Sequence, residues 1–134
     1  MTHSIDIRTV RRCDFIDITE KIGKIVRDAR VSRGLCFVFV PHTTAGLTIN
    51  ENADPSVVKD IMSTLETLVP QSRRYTHTEG NSDAHIKSSI VGVEKTIFIE
   101  EGRLKLGTWQ GIFFCEFDGP RQKREIVVTI IADN

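Results

Sequence analysis

The chain lacks an excess charge of one sign, a long apolar run and a paired cysteine motif, and each absence removes a class of protein. Its 18 Lys and Arg stand against 18 Asp and Glu. No broad basic field is available to hold a phosphodiester backbone, so a nucleic-acid partner is not expected. The longest apolar run, Leu35 to Val40, is too short to span a bilayer, and no membrane partner is expected either. Residues Met1 to Arg12 mix charged and apolar side chains and contain no signal-peptide core, which makes a cytoplasmic address the expectation. Cys13, Cys36 and Cys115 are odd in number and widely spaced, with no CxxC pair, as suits reduced thiols in a reducing compartment. Internal repeats, low-complexity tracts and linkers are missing as well. The 134 residues, 40% of them hydrophobic, suit a single domain over residues 1–134 with one core.

What is present is a pattern of short strands and helices. Ser4 to Val10 alternates and predicts a strand. Asp17 and Glu20 form a capping pair for a helix carrying Ile18, Ile22, Ile25, Val26 and Ala29, with Gly34 as its stop. Leu35 to Val40 reads as a buried strand and Gly46 to Asn50 as the next. Asp54-Pro55 opens a second helix, an acidic N-cap followed by proline at the first helical position, with Val57, Val58, Ile61, Leu65 and Leu68 as its buried face. A polar loop from Gln71 to Ser82 leads to a short helix, Ala84 to Ile90, capped by Asp83. Strands at Thr96 to Ile99, Ile112 to Phe117 and Glu125 to Ile131 follow, separated by turns at Glu101-Gly102 and Asp118-Gly119-Pro120. The expected fold is α+β: an antiparallel β-sandwich with two longer helices and one short helix packed on it.

Three segments carry residues that a plain core would not need. The first runs Pro41-His42-Thr43-Thr44-Ala45-Gly46-Leu47-Thr48-Ile49-Asn50-Glu51-Asn52. Hydroxyls and free N–H groups at a strand end can hold an anion, and a glycine lets backbone approach it. A hairpin with exposed threonines and one surface histidine explains the same residues equally well. The second segment holds His77 and His85 on either side of a helix start. Imidazoles ligate zinc, and three histidines with one open position form a catalytic arrangement, yet His-x7-His is less diagnostic than HExxH on one helix. Three of the four histidines, His42, His77 and His85, fall in these two polar segments. In the third segment, alternation puts Phe114, Glu116 and Asp118 on one side of a strand, where the carboxylates can meet a metal, orient a ligand histidine or face water. Arg121, fixed after Gly119-Pro120, can clamp phosphate through two bonds. The rest of the basic run to Arg124 reads as a solvated sheet edge. Trp109 is expected to pack in a core or interface, and Cys115 to be a buried, inert thiol.

The stretches HTTAGLTINENADP (His42 to Pro55), YTHTEGNSDAHIKSS (Tyr75 to Ser89) and LKLGTWQGIFFCEFDGPR (Leu104 to Arg121) together resemble the YjbQ-like family, also called the secondary thiamine-phosphate synthase enzyme family. The resemblance implies a β-sandwich that assembles as a homotrimer. It also implies a polar site containing His42, His77, His85 and, less directly, Glu116, and an activity that couples a pyrimidine pyrophosphate to a thiazole phosphate. In that reading the three histidines bind a divalent metal, zinc or, for a pyrophosphate substrate, magnesium. Glu51 or Glu116 orients the metal or its water. Thr43, Thr44, Gly46, Asn50, Lys87 and Arg121 hold the small phosphorylated molecule, because neutralising a leaving pyrophosphate matters more than a protein nucleophile. Two other readings accompany it: a metal-dependent hydrolase of a small phosphorylated molecule, with the histidines activating water, and a non-catalytic ligand-binding protein.

Overall fold

The computed structural model describes residues 1–133. Among them the chain forms β1 (Thr2–Thr9), β2 (Asp14–Asp17), α1 (Thr19–Ala29), β3 (Gly34–Phe39), β4 (Ala45–Glu51), α2 (Pro55–Leu68), α3 (Ser82–Val91), β5 (Glu94–Glu100), β6 (Arg103–Leu104), β7 (Gln110–Glu116) and β8 (Arg121–Ala132). The strands make a five-stranded sheet in the order β1-β8-β3-β5-β6 and a three-stranded sheet in the order β2-β7-β4. Every pairing is antiparallel. The expected α+β sandwich with three helices is what the chain builds.

Strand alternation explains the layering. Cys36 and Val38 of β3, Ile126, Val128 and Ile130 of β8, and Ile97 and Ile99 of β5 point inward from the large sheet. They meet Leu47 of β4 and Ile112 and Phe114 of β7 from the small one, and Ile22 and Val26 of α1 close the layer. β7 is buried on both faces, so its apolar run is unbroken. Its other side, Phe113 and Cys115 with Phe117 beyond, packs with Phe15 and Ala84 under Val58, Ile61, Met62 and Leu65 of α2. The small sheet is therefore a middle layer between the large sheet and α2 with α3.

Several local expectations are corrected. α1 ends at Arg30, which adopts the left-handed conformation (φ 56°), and not at Gly34. Gly34 instead opens β3, where a Cβ would stand 2.1 Å from the Ile131 carbonyl oxygen. The strand β2 is too short to declare itself by alternation. Asp54 caps α2 as expected, its Oδ1 accepting from the Ser56 N–H at 2.9 Å. α2 is less buried than its pattern suggests: Leu68 is mostly exposed. The N-cap of α3 is Asn81. Asp83 is drawn inside the protein instead. Trp109 is exposed in the single chain, while Cys115 is fully buried. Burial raises the Cys115 thiol far above its ordinary pKa, as an inert core cysteine requires.

Candidate functional site

The link from β3 to β4 carries the first histidine. It is tied down by main-chain bonds from Val40 N–H to the Val93 carbonyl (2.8 Å) and from Phe117 N–H to the Thr44 carbonyl (3.2 Å). The Glu125 N–H donates to His42 Nε2 at 2.9 Å. A ring nitrogen that accepts from an amide carries no proton, so the neutral ring bears its hydrogen on Nδ1 and offers that N–H as a donor. Burial lowers the His42 pKa, and nearby Arg124 lowers it further, so the neutral form is favoured.

Arg124 lies on β8 among apolar inward residues and is almost fully buried. Its Nε donates to Glu116 Oε1 (2.9 Å) and its Nη2 to Glu116 Oε2, forming a two-pronged pair. Nη2 also donates to Thr44 Oγ1 at 3.0 Å. Glu116 receives two more bonds, from Thr9 Oγ1 (2.7 Å) and Asp118 N–H (3.0 Å). Burial alone would raise its pKa. The bonds from Arg124, Thr9 and Asp118 outweigh burial and hold the carboxyl below its ordinary value. Arg121 follows the cis Gly119–Pro120 bond. Its Nε donates to the Asp118 carbonyl (3.0 Å) and its Nη2 to Asp118 Oδ2 (2.9 Å). Asn81 Nδ2 donates to the same Asp118 oxygen at 2.9 Å, while Asn81 Oδ1 is buried without a partner among the described residues.

These groups surround a cleft of about 540 Å³ lined by His42, Thr43, Thr44, Asn81, His85, Arg121 and Arg124, with Phe39, Val40, Pro41 and Val93 as its apolar part. No described carboxylate lines it. Glu116 and Asp118 sit behind the guanidiniums and aim them. His85, in the first turn of α3, also lines a second cavity of about 360 Å³ with Tyr75, Thr76, His77, Ser82 and Ile86. The His77 and His85 rings stand edge to face, 5.5 Å between centroids. His77 Nδ1 and Ser82 Oγ share a 2.7 Å hydrogen bond.

The sequence-predicted residues therefore divide. His42, Thr43, Thr44, His85 and Arg121 border one cleft. His77 borders the neighbouring cavity, with His85 as the shared wall. The expected three-histidine metal centre does not form within one chain: among the described residues no group of three or more His, Cys, Asp or Glu side chains is placed to hold a metal ion. His42 Nε2 and His77 Nδ1 are already hydrogen-bonded, and two guanidiniums line the cleft that a cation would have to enter. Glu116 is no general base, because Arg124, Thr9 and Asp118 occupy both its oxygens. Lys87 is withdrawn from any ligand: it is 1% exposed, and its Nζ donates to Glu66 (2.8 and 2.9 Å) and Asp83 (3.1 Å). Gly46 serves packing, since a Cβ there would stand 2.5 Å from the Gly92 carbonyl oxygen. Asn50 and Glu51 close the far end of β4, where Asn50 Oδ1 accepts from Glu51 N–H and Glu51 Oε2 from Asp54 N–H. Glu51 lines a cavity there with Arg11, Asp14, Asp17 and Lys59, which shares no residue with the histidine cleft.

Arg124 and Asn81 were not among the expected site residues. For Arg124 the signal was present: Arg124, Ile126, Val128 and Ile130 share one strand face, and a charge in an apolar row implies a buried partner. Asn81 carried no comparable signal beyond its place before a helix.

Residues 3–133 match the family model of UPF0047 YjbQ-like proteins. The chain belongs to that family. It is 54% identical over 133 residues to the UPF0047 protein MJ1081 of Methanocaldococcus jannaschii, covering 99% of this chain and 96% of that one. It is 46% identical to the UPF0047 protein YugU of Bacillus subtilis, covering 92% and 94%. Among solved structures it matches a YjbQ/UPF0047 family protein from Clostridium acetobutylicum with a TM-score of 0.93 at 53% identity, over 96% of this chain and 99% of that one. A YbjQ-like protein from Sulfolobus solfataricus matches with a TM-score of 0.95 at 33% identity, over 99% and 97%. Membership of the YjbQ-like family accounts for the fold and leaves the chemistry to be argued from the site. No described helix is long and apolar enough to cross a membrane.

Proposed function

We propose that the chain binds a small phosphorylated molecule in the cleft between His42 and His85, with ligand binding as the primary function. One observation carries this reading: Arg121, Arg124, two imidazoles and the Asn81 amide line a single cleft free of described carboxylates. The guanidiniums are neutralised from behind by Asp118 and Glu116, so affinity comes from N–H groups held in place more than from net charge. His42 contributes Nδ1–H as a neutral donor.

The coupling of a pyrimidine pyrophosphate to a thiazole phosphate is the second reading, favoured by the same cleft, whose donors suit a leaving pyrophosphate. A phosphate-releasing hydrolase uses the same binding groups. A divalent ion, zinc or magnesium, would reach this cleft with the phosphates of its ligand, because the described residues of one chain do not supply three protein ligands. Exposed Phe98 and Ile131 flank Leu35 across β5, β3 and β8, an apolar row that suits the homotrimer the family resemblance implies.

Titration calorimetry with inorganic phosphate and pyrophosphate, with and without magnesium, tests the binding reading. We expect saturable binding at one site per chain, weakened about tenfold or more in His85→Ala and in Arg121→Ala, with the circular dichroism of both unchanged. Equal affinity in both variants and wild type would remove the cleft from consideration. Assays of pyrimidine–thiazole coupling and of phosphate release, each with chelator as control, separate the catalytic readings, and activity in either is expected to vanish in His85→Ala.

A further inference from the structure

The second cavity contains a hydroxyl and a base in contact, and the anion cleft makes no use of either. Ser82 is 7% exposed, lines the cavity, and places Oγ 2.7 Å from His77 Nδ1. Glu79 lies on the other side of the imidazole, its Oε1 3.7 Å from Nε2. That separation is too long for a hydrogen bond, but a carboxylate there favours the tautomer with its proton on Nε2. Nδ1 is then the acceptor, and the Ser82 hydroxyl donates to it in preference to the His77 carbonyl, which is 3.3 Å away. The order Ser–His–Glu is that of a nucleophile, a general base and the group that orients the base, recognised by geometry and not by position in the chain.

Ser82 is also the first residue of α3, a helix of 10 residues whose N-cap side chain, Asn81, makes no capping bond to the helix N–H groups and turns to Asp118 instead. The Ala84 and His85 N–H groups are taken by the Asn81 carbonyl (3.0 and 3.4 Å). The Ser82 and Asp83 N–H groups have no hydrogen-bond partner among the described residues. A tetrahedral oxyanion formed on Ser82 would arise beside these donors and the positive end of the helix. Tyr75 and Ile86 give the cavity an apolar wall for an acyl group.

We infer that Ser82 is a nucleophile with His77 as its base, and that this cavity hydrolyses small carboxylic esters. Oγ attacks the ester carbonyl carbon while its proton passes to His77 Nδ1. The carbon–oxygen bond to the alcohol breaks, and the alcohol leaves with that proton, giving acyl-Ser82. Water then attacks the acyl carbon, its proton passes through Nδ1 to Ser82 Oγ, and the carboxylic acid is released. This activity is independent of phosphate binding in the neighbouring cleft.

The test incubates the full chain with a fluorophosphonate probe and maps the adduct by mass spectrometry, then follows p-nitrophenyl acetate hydrolysis. We expect one adduct per chain, on Ser82. Ser82→Ala should lose both the adduct and the hydrolysis. His77→Asn should react about a hundredfold more slowly, the contribution typical of a positioned base. An unlabelled Ser82 in the wild-type chain overturns the inference, and that result does not depend on any variant folding. Hydrolysis undiminished in folded Ser82→Ala overturns it too.

Discussion

Among the described residues two ion pairs are withdrawn from water, and they are used differently. Glu116 and Arg124 face each other between the sheets, at 0% and 3% exposure, with Thr9, Thr44 and the Asp118 amide completing their bonds. Their guanidinium end reaches the cleft. Asp83 and Lys87 are just as buried, but under α3. There Arg12 makes a two-pronged contact with Asp83 at 3.0 Å on each oxygen, and Glu66 reaches Lys87 from α2. This second network lines neither the anion cleft nor the cavity beside it. It pins the first turn of α3, which carries His85 and follows Asn81, to the link between β1 and β2. One pair holds a ligand-binding group, and the other holds the helix beside it. Buried charge alone does not mark a site; what matters is whether an unshared N–H reaches open space.

The largest effect should follow from breaking the first pair. Glu116→Ala leaves the Arg124 guanidinium buried without its carboxylate, and loss of about 3–5 kcal/mol of stability is expected. Phosphate affinity should fall with it, because Arg124 is then free to turn away from the cleft. Urea denaturation and phosphate titration read the two effects separately. A stable Glu116→Ala with intact affinity would mean that Arg124 is held by the fold alone.

The second pair should break more gently. In Lys87→Met, Asp83 keeps both bonds to Arg12, and Glu66, which is half-exposed, returns to water. A loss of about 1–3 kcal/mol is expected, with phosphate affinity within twofold of wild type. A drop in affinity as large as that of His85→Ala would show that the network beneath α3 tunes the cleft and does more than hold the helix.

His42 gives a smaller, pH-dependent effect on the cleft side only. Its pKa in the folded chain is depressed by burial and by Arg124, so the unfolded chain takes up the proton first as pH falls. The stability it contributes is complete above about pH 6.5, the ordinary histidine value. It is lost as pH falls from there through the folded-state value, when protonation also breaks the bond from Glu125 N–H. Denaturation midpoints followed from pH 8 to pH 5 should decline in the wild-type chain and be flatter in His42→Gln. Parallel curves would assign the decline to other groups.

The same contrast explains what could be read in the sequence. Strand and helix positions, the α+β class and the Asp54-Pro55 helix start follow from period and capping chemistry, which are local. The polar segments around His42 and His77 to His85 were visible as polarity where a core would be apolar. Which charges they enclose was not visible, because pairing across 80 residues of chain depends on sheet register: Thr44 meets Arg124 only once β3 and β8 are aligned. Arg124 was readable in principle from its place in the row Arg124, Ile126, Val128, Ile130, but the neighbouring Arg121 and Lys123 made the run look like a solvated edge. Lys87 failed in the opposite direction. The resemblance reading set it among the phosphate contacts, yet it lies on the buried side of α3, where Asp83 and Glu66 receive it.

The smallest effect is expected at Glu51, and it separates the two ends of β4. His42, Thr43 and Thr44 approach the cleft from the N-terminal end of that strand, whereas Glu51 closes its C-terminal end. The seven residues between Ala45 and Glu51 span roughly 20 Å at the strand rise of about 3.4 Å per residue. Over that distance, about two and a half times the Debye length at physiological salt, a surface carboxylate adds little to the field in the cleft. The Glu51 carboxylate accepts from the Asp54 N–H at 3.2 Å, just ahead of α2. The amide oxygen of Glu51→Gln can still accept it. Stability within about 0.5 kcal/mol of wild type and unchanged phosphate affinity are therefore expected. Calorimetry showing tenfold weaker binding in Glu51→Gln would require this end of β4 to meet the ligand, and the only route to that over such a distance is a second copy of the chain bringing its own Glu51 to the cleft.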